Sequence, residues 1–426
     1  MTPPSVAPQP ITRQHWLIVI GATLLVTVGG ATFLSFTFLN PGISASLGVP
    51  LSTVLVHNSL MSLAGLPAMT VLAPWLLRRV GARMALVGYG LWQALMLVGM
   101  SMATSLPMLY LFGFAVGLSF GAGTHMMGSY LITTWFVARR GSTLGAVMAI
   151  SGLGGIATGL GMPLLTESIG WQGAFRVLAA ISLVVMVGTG LFLVRTSPSE
   201  VGLLPVGETG RHADAPLDVP VPGVKLRRAL RSPQLWVLAL GIALYQTVQS
   251  IQQTITSVYV TAGVSEIEAG TLVSVLSGCL VFTTVTVGAV NDRFGTAAAI
   301  GLAASAQAVS MIGLWLSDGY WSLATSTAVM AFGSAMPTVL LAIVVMTTFG
   351  PVEYAAVLGV VMAFIPVGMA IGGPLWGLSK DLTGSYTPAL WSAAVISVVA
   401  AVLMAWVLRS APTLRAAVER EAAPTS

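Results

Sequence analysis

The sequence predicts an all-α membrane protein, with twelve transmembrane helices in two pseudo-symmetric bundles of six. Three observations predict it. Of 426 residues, 56% are hydrophobic and 7% charged, against about 25% charged in an ordinary soluble domain, and the mean hydropathy is +0.91. The apolar residues fall into twelve long stretches, and the two halves share sequence at one ungapped offset of 214 residues. This composition excludes soluble enzymes, disordered chains and secreted disulfide scaffolds. The single cysteine, Cys279, cannot close an intrachain disulfide.

The first apolar stretch, 15–39, follows a tail (1–14) that shows no cleavage pattern after a short apolar core, so it is expected to persist as a helix. Stretches 52–77, 84–103, 106–134, 143–166 and 172–194 complete the first bundle, 15–194. Pro198, Pro205, Pro216, Pro220, Pro222 and Pro233 and a basic run then interrupt the pattern and mark a linker, 195–233. The second bundle, 234–409, holds stretches 234–260, 268–290, 297–317, 320–349, 354–379 and 387–408, and 410–426 is a tail. Each stretch reaches the ~20 residues a helix needs to cross a ~30 Å hydrocarbon core, whereas barrel strands need only about ten.

The basic residues are a topology signal. With the N-terminus in the cytoplasm, 16 of the 18 Lys and Arg fall on the inner side, leaving Arg176 and Lys380 outside. This accounts for the net charge of +5 without a nucleic-acid partner. Both termini are expected to be cytoplasmic, in a multi-pass protein of the cytoplasmic (inner) membrane acting as a monomer.

The repeat holds its register across separated segments. Leu144-Gly145-Ala146-Val147-Met148-Ala149 reads again as Leu358-Gly359-Val360-Val361-Met362-Ala363, Gly154, Gly159 and Gly170 return as Gly368, Gly373 and Gly384, and Arg79-Val80-Gly81 aligns with Arg293-Phe294-Gly295. Parallel six-span halves of this kind build many secondary transporters, which hold substrate near the membrane midplane.

Gly288-Ala289-Val290-Asn291-Asp292-Arg293-Phe294-Gly295, between the eighth and ninth spans, resembles the G-x-x-x-D-R-x-G signature of the major facilitator superfamily. The equivalent loop between the second and third spans keeps Arg79 and Gly81 but has Pro74 and Arg78 in place of Gly and Asp. The resemblance covers the whole chain and implies that Arg79, Gly81, Gly288, Asp292, Arg293 and Gly295 brace neighbouring helices in one state of a transport cycle. Trp135 to Gly141, Gly145, Ser151-Gly152, Pro163 and Gly170 to Phe175, with Asp381 to Tyr386 and Pro198 to Pro205, are similar to the bacterial monocarboxylate porter and oxalate/formate antiporter branch. Carriers of that branch typically hold the substrate carboxylate through an arginine in the eighth span, but Ala269 to Val290 carries no cation.

Ionisable groups inside a membrane are costly and are functional candidates by default. Here no Asp, Glu, Lys or Arg falls near a midplane. His125 lies about ten residues, or ~15 Å, from the inner end of the fourth span. It is the candidate for proton coupling and for anion binding, against a bland role as a neutral, hydrogen-bonded residue. His57 is nearer the outer end of the second span and reads as a vestibule or packing residue. Gln246, Gln249 and Gln253, at i, i+3 and i+7, form one face of a helical seventh span that would be costly against lipid. The resemblance implies that the first, fourth, seventh and tenth spans line the solute cavity, so substrate contact is expected there, with interhelical hydrogen bonding as the alternative. Tyr130, Ser334 and Thr338 are further substrate candidates, whereas Gly29-Gly30 reads as a point of close helix approach.

Gly152-Leu153-Gly154-Gly155 lies within a span and is not a phosphate loop. No nucleophile and base pair, metal-ligand spacing or nucleotide-binding segment appears, so the chain is expected to be no enzyme and to need no cofactor or metal. The expected partners are a small-molecule solute and the lipid bilayer. The expected function is secondary transport of a small organic solute, by the branch resemblance a carboxylate anion. Efflux of a neutral or amphiphilic compound is the alternative, and a transporter-shaped solute sensor a third reading, disfavoured by short termini without an output domain.

Overall fold

The structure, a computed structural model, describes residues 12–136, 140–206 and 224–422. Nine helical runs among these residues are long and apolar enough to cross a membrane. Two of them, Leu51–Ser101 and Thr143–Leu193, have 51 residues each, roughly 75 Å of helix and more than twice the ~30 Å core. Glycines divide both: Gly81 at φ 73°, ψ 169° and Gly170 at φ 69°, ψ 174°. Each run is therefore two helices joined at a kink, and each of the two is long enough for one crossing. The predicted stretch 320–349 is helical on either side of a wide turn at Pro337. All twelve apolar stretches fall on helix, consistent with twelve crossings.

Contacts divide the chain into two compact units, Met1–Leu47 with Leu60–Pro216, and Gly48–Ser59 with Leu217–Ser426. The first contains α1 (Arg13–Leu47), the later part of α2 (Leu51–Pro67), α3 (Ala73–Ser101), α4 (Leu106–Gly121), α5 (Met127–Trp135) and α6 (Arg140–Gly188). Its core gathers Ile18, Leu25, Leu86, Leu131, Trp135 and Met186. The second contains α7 (Leu226–Ala229), α8 (Pro233–Gln249), α9 (Ile255–Thr261), α10 (Glu266–Phe294), α11 (Thr296–Leu316), α12 (Tyr320–Gly333), α13 (Leu341–Phe349), α14 (Tyr354–Met362), α15 (Phe364–Thr383) and α16 (Thr387–Ala422). Leu235, Ile242, Met336, Phe349, Ala400 and Met404 lie in its core.

Residues 48–59 precede the expected linker yet pack with the second unit. Pro374 has no N–H for the carbonyl of Ala370 four residues earlier, and Ser59 Oγ donates to that carbonyl at 2.5 Å. Ser52 N–H donates to Asp381 Oδ2 at 3.0 Å.

The sequence repeat is also a repeat of structure, unit by unit. Wide π-turns span Ala122–Met126 and Met336–Leu340, 214 residues apart. Gly154 of α6 faces Thr27 of α1, and Gly368 of α15 faces Ala243 and Gln246 of α8. The Trp135 carbonyl accepts from Val206 N–H at 2.9 Å, and the equivalent Phe349 carbonyl accepts from Val224 N–H at 2.7 Å. Val206 and Val224, within the expected linker 195–233, thus cap equivalent helices, while 207–223 lies outside the described residues, as do 1–11 and 423–426 of the tails.

Gly81 and Gly295 share a backbone conformation, φ 73° and 86° with ψ 169° and 165°, that is essentially restricted to glycine and costs other residues about 1–3 kcal/mol. A Cβ on Gly81 would also meet Thr196 Oγ1 at 2.8 Å, whereas nothing lies within 4 Å of one on Gly295. Thr196 Oγ1 is the acceptor for Ala82 N–H at 3.1 Å. Both Gly→Ala variants are expected to lower the thermal midpoint in detergent, Gly81→Ala the more; equal shifts would show that Thr196 yields without cost.

Candidate functional site

In the first unit, α4 passes into α5 through the π-turn Ala122–Met126, which carries His125. Such turns insert an extra residue into the helical ladder and recur at functional sites. Local chemistry favours the irregularity. Thr124 Oγ1 donates to the Phe120 carbonyl at 2.5 Å, competing with backbone pairing. Gly29 gives α1 access to the turn, because a Cβ there would sit 2.5 Å from Thr124 Oγ1 and 3.1 Å from His125 Nδ1. The neighbouring Gly30 has open space, so close approach is the role of Gly29 alone.

His125 Nδ1 is 3.2 Å from Thr124 Oγ1. The threonine hydrogen is committed to Phe120, so the imidazole is the donor at Nδ1 and Nε2 retains the basic lone pair. The ring lies 6.2 Å from that of Phe120, which stacks on Phe33 at 6.1 Å. Tyr130 is half-buried on α5 against the core of this unit. His57 is buried, with Nδ1 donating to the Val54 carbonyl at 2.7 Å, and belongs to the segment packed with the second unit.

In the second unit the continuous glutamine face does not form. α8 ends at Gln249, Ser250–Gln253 is a 3₁₀ turn, and Thr254 leaves helical geometry at φ −134°, ψ 9°. The Ser250 and Thr254 hydroxyls return to the Thr247 and Ile251 carbonyls at 2.7 and 3.4 Å, bonds that compete with the ladder. The tighter turn rotates Gln253 off the line of Gln246 and Gln249. Its Oε1 lies against Gly373 of α15, 2.5 Å from where a Cβ would stand. Gln246 and Gln249 stay together on α8, 5% and 4% exposed. Gln249 Nε2 donates to Ser334 Oγ at 3.3 Å. The Thr338 side chain lies outside the described residues.

Pro337 explains the join between α8 and the kink after α12. It offers no N–H to the Gly333 carbonyl, and Tyr245 OH supplies the donor at 2.8 Å. Gln307 of α11, fully buried, places Oε1 against the same glycine. Its amide has no hydrogen-bond partner. Tyr245, Gln249, Gln307 and Ser334 therefore form one polar cluster. Gln307 was not among the expected site residues, although the repeat contains the signal: 214 residues earlier stands Gln93, also fully buried, with Nε2 donating to Ser182 Oγ at 3.2 Å. A separate cleft of about 300 Å³ lies among α8, α15 and α16, lined by Thr247, Leu375, Trp376, Thr383 and Ser392 and by none of these amides.

The sequence pattern of the Major Facilitator Superfamily matches residues 21–263 and 238–426. The chain belongs to the major facilitator superfamily. A superfamily relative, the uncharacterized MFS-type transporter YhjX of Escherichia coli K12, is 27% identical over 323 residues, 72% of this chain and 73% of its own length. Among solved structures, a bacterial homolog of the human lysosomal transporter Spinster, inward-facing and unoccupied, aligns with TM-score 0.68 at 18% identity, covering 95% of this chain and 99% of its own. The nucleoside transporter NupG aligns with TM-score 0.73 at 13% identity, covering 93% and 99%. Superfamily members are transporters rather than enzymes, and this chain is a multi-pass membrane transporter.

The loops resembling the superfamily signature carry a stacked cation in each unit. The Arg79 guanidinium sits 6.0 Å from the Trp75 ring centre, and that of Arg293 sits 5.4 Å from Phe294. Asp292 Oδ1 accepts from Asn291 Nδ2 at 3.2 Å. Gly288 has open space where a Cβ would stand, so local packing does not demand glycine there, while the backbone does at Gly81 and Gly295.

Proposed function

We propose that this superfamily member is a secondary active transporter that moves a small organic carboxylate anion across the cytoplasmic membrane by alternating access, coupled to protons through His125. The observation that carries the reading is a single imidazole on a π-turn, its Nδ1 3.2 Å from Thr124 Oγ1, in a chain whose spans lack Asp, Glu, Lys and Arg near their centres. A proton on Nε2 provides the positive charge that an anion needs at low dielectric, and the pair then crosses with little net charge. Tyr130, Gln246, Gln249, Gln253, Ser334 and Thr338 supply neutral contacts, and Arg79, Gly81, Gly288, Asp292, Arg293 and Gly295 the conformational brace. The resemblance to the monocarboxylate and oxalate/formate branch supports the substrate class.

The same proposal includes twelve spans, bundles at 15–194 and 234–409 joined by the linker 195–233, both termini in the cytoplasm, and a monomer. Uptake into proteoliposomes under an imposed proton gradient tests it. Saturable accumulation of a monocarboxylate, abolished by a protonophore, is expected.

The absence of a cation between Ala269 and Val290 favours a second reading, efflux of a neutral or amphiphilic compound. Flux of nucleosides or amphiphiles with none of carboxylates would select it. Binding without flux would instead select a sensor.

A further inference from the structure

The second unit carries four cations within seven residues, Lys225, Arg227, Arg228 and Arg231, around the short turn α7. Two bonds fix this segment. Val224 N–H donates to the Phe349 carbonyl at 2.7 Å, and Leu226 N–H to Glu353 Oε2 at 2.6 Å. Glu353 itself stands at φ 53°, the one non-glycine residue with positive φ among those described. Its carboxylate is thus held toward the turn and engaged by the Leu226 backbone donor.

Trp236 sets the depth of the turn. Its indole N–H donates to the Leu230 carbonyl at 2.9 Å, tying the ring to the basic segment, and its ring packs edge-on against Phe364 at 6.1 Å. Trp236 is 49% exposed and begins an exposed apolar face that continues one turn on at Leu240. A tryptophan with a satisfied N–H at the start of such a face marks the level where hydrocarbon meets headgroups. Lys225, Arg227 and Arg231, all exposed, then stand among lipid phosphates.

We infer that this basic shelf binds the headgroup of an anionic glycerophospholipid and that the bound lipid holds the second end of the linker against α13. Polybasic segments at this depth favour anionic over zwitterionic lipid, and the bonds to Phe349 and Glu353 fix the backbone that carries the cations before lipid binds. α13 ends at the Phe349 carbonyl that this segment caps, so headgroup occupancy bears directly on the end of the tenth span.

The test is fluorescence quenching of the full-length protein in bilayers containing equal fractions of brominated phosphatidylglycerol or brominated phosphatidylcholine. Quenching by the anionic lipid is expected to exceed that by the zwitterionic one, and most of the excess should vanish in Trp236→Phe. Replacing Lys225, Arg227, Arg228 and Arg231 together with glutamine should lower the relative affinity for phosphatidylglycerol at least about fivefold. Should that variant not fold, Arg227→Gln with Arg231→Gln, both exposed, gives a smaller loss in the same direction. Equal quenching by the two lipids, or an anionic preference that survives the substitutions, overturns the inference.

Discussion

Replacing His125 with glutamine is expected to flatten the pH profile of solute uptake. Uptake by the native protein should rise as the outside pH falls, because transport requires the proton that Nε2 accepts. Nδ1 is already committed as a donor to Thr124 Oγ1, whose own hydrogen goes to Phe120. Protonation therefore changes the charge at Nε2 without rearranging the turn. Glutamine retains hydrogen-bonding capacity and approximate size but does not titrate. At acidic pH its uptake should fall about tenfold or more, equivalent to at least about 1.4 kcal/mol of lost transition-state stabilisation. The ratio of rates between pH 5.5 and 7.5 should approach one. Counterflow needs no proton gradient but still needs the charge that binds the anion, so it should fall as well. A variant that transports with the native pH profile would remove His125 as the coupling site, whether or not the carboxylate reading stands.

Span positions were legible in the sequence because a bilayer imposes one requirement, some twenty apolar residues per crossing, and composition records it directly. The repeat was legible because close helix contacts admit only small residues. Gly154 and Gly368, matched by register alone, make the same kind of contact, one on α1 and the other on α8. What escaped was local geometry. Gln253 reads as the third member of a stripe only if the helix continues past Gln249, and nothing in a residue count reveals that serine and threonine hydroxyls divert the backbone there. The π-turn at His125 is equally silent in a periodicity of 3.6. Gln307 was hidden for a different reason. One amide in an apolar span looks incidental until Pro337, thirty positions on, orphans the carbonyl beside which it packs. The packing of residues 48–59 on α15 likewise turns on an orphan carbonyl, left at Ala370 by Pro374. In both cases the proline is visible in the sequence and its partner is not.

Gly372→Val is expected to have the largest effect on folding. A Cβ at Gly372 would fall on Ser250 Oγ and on the Thr247 carbonyl of α8. The serine could turn aside, but the carbonyl is fixed by the helix, so the two backbones must separate. Gly368, one turn earlier, is pressed in the same way on the Ala243 carbonyl, and together they form a small-xxx-small seam, where lipid-embedded helices gain packing by close backbone approach. Overpacking such a seam with a branched side chain costs about 3 kcal/mol, a large share of the roughly 5–15 kcal/mol that holds a typical fold together. Gly359→Val, at an exposed glycine with open space around it, should leave the thermal midpoint and monodispersity in detergent nearly unchanged. Gly372→Ala separates packing from function. It carries the same Cβ against the Thr247 carbonyl without the added branch, so it should lower the midpoint less than valine does while still pushing back the helix that carries Gln246 and Gln249. Solute affinity should then weaken severalfold while the pH profile set in the first unit keeps its shape. An altered pH profile with unchanged affinity would show that the amides of α8 do not face the solute.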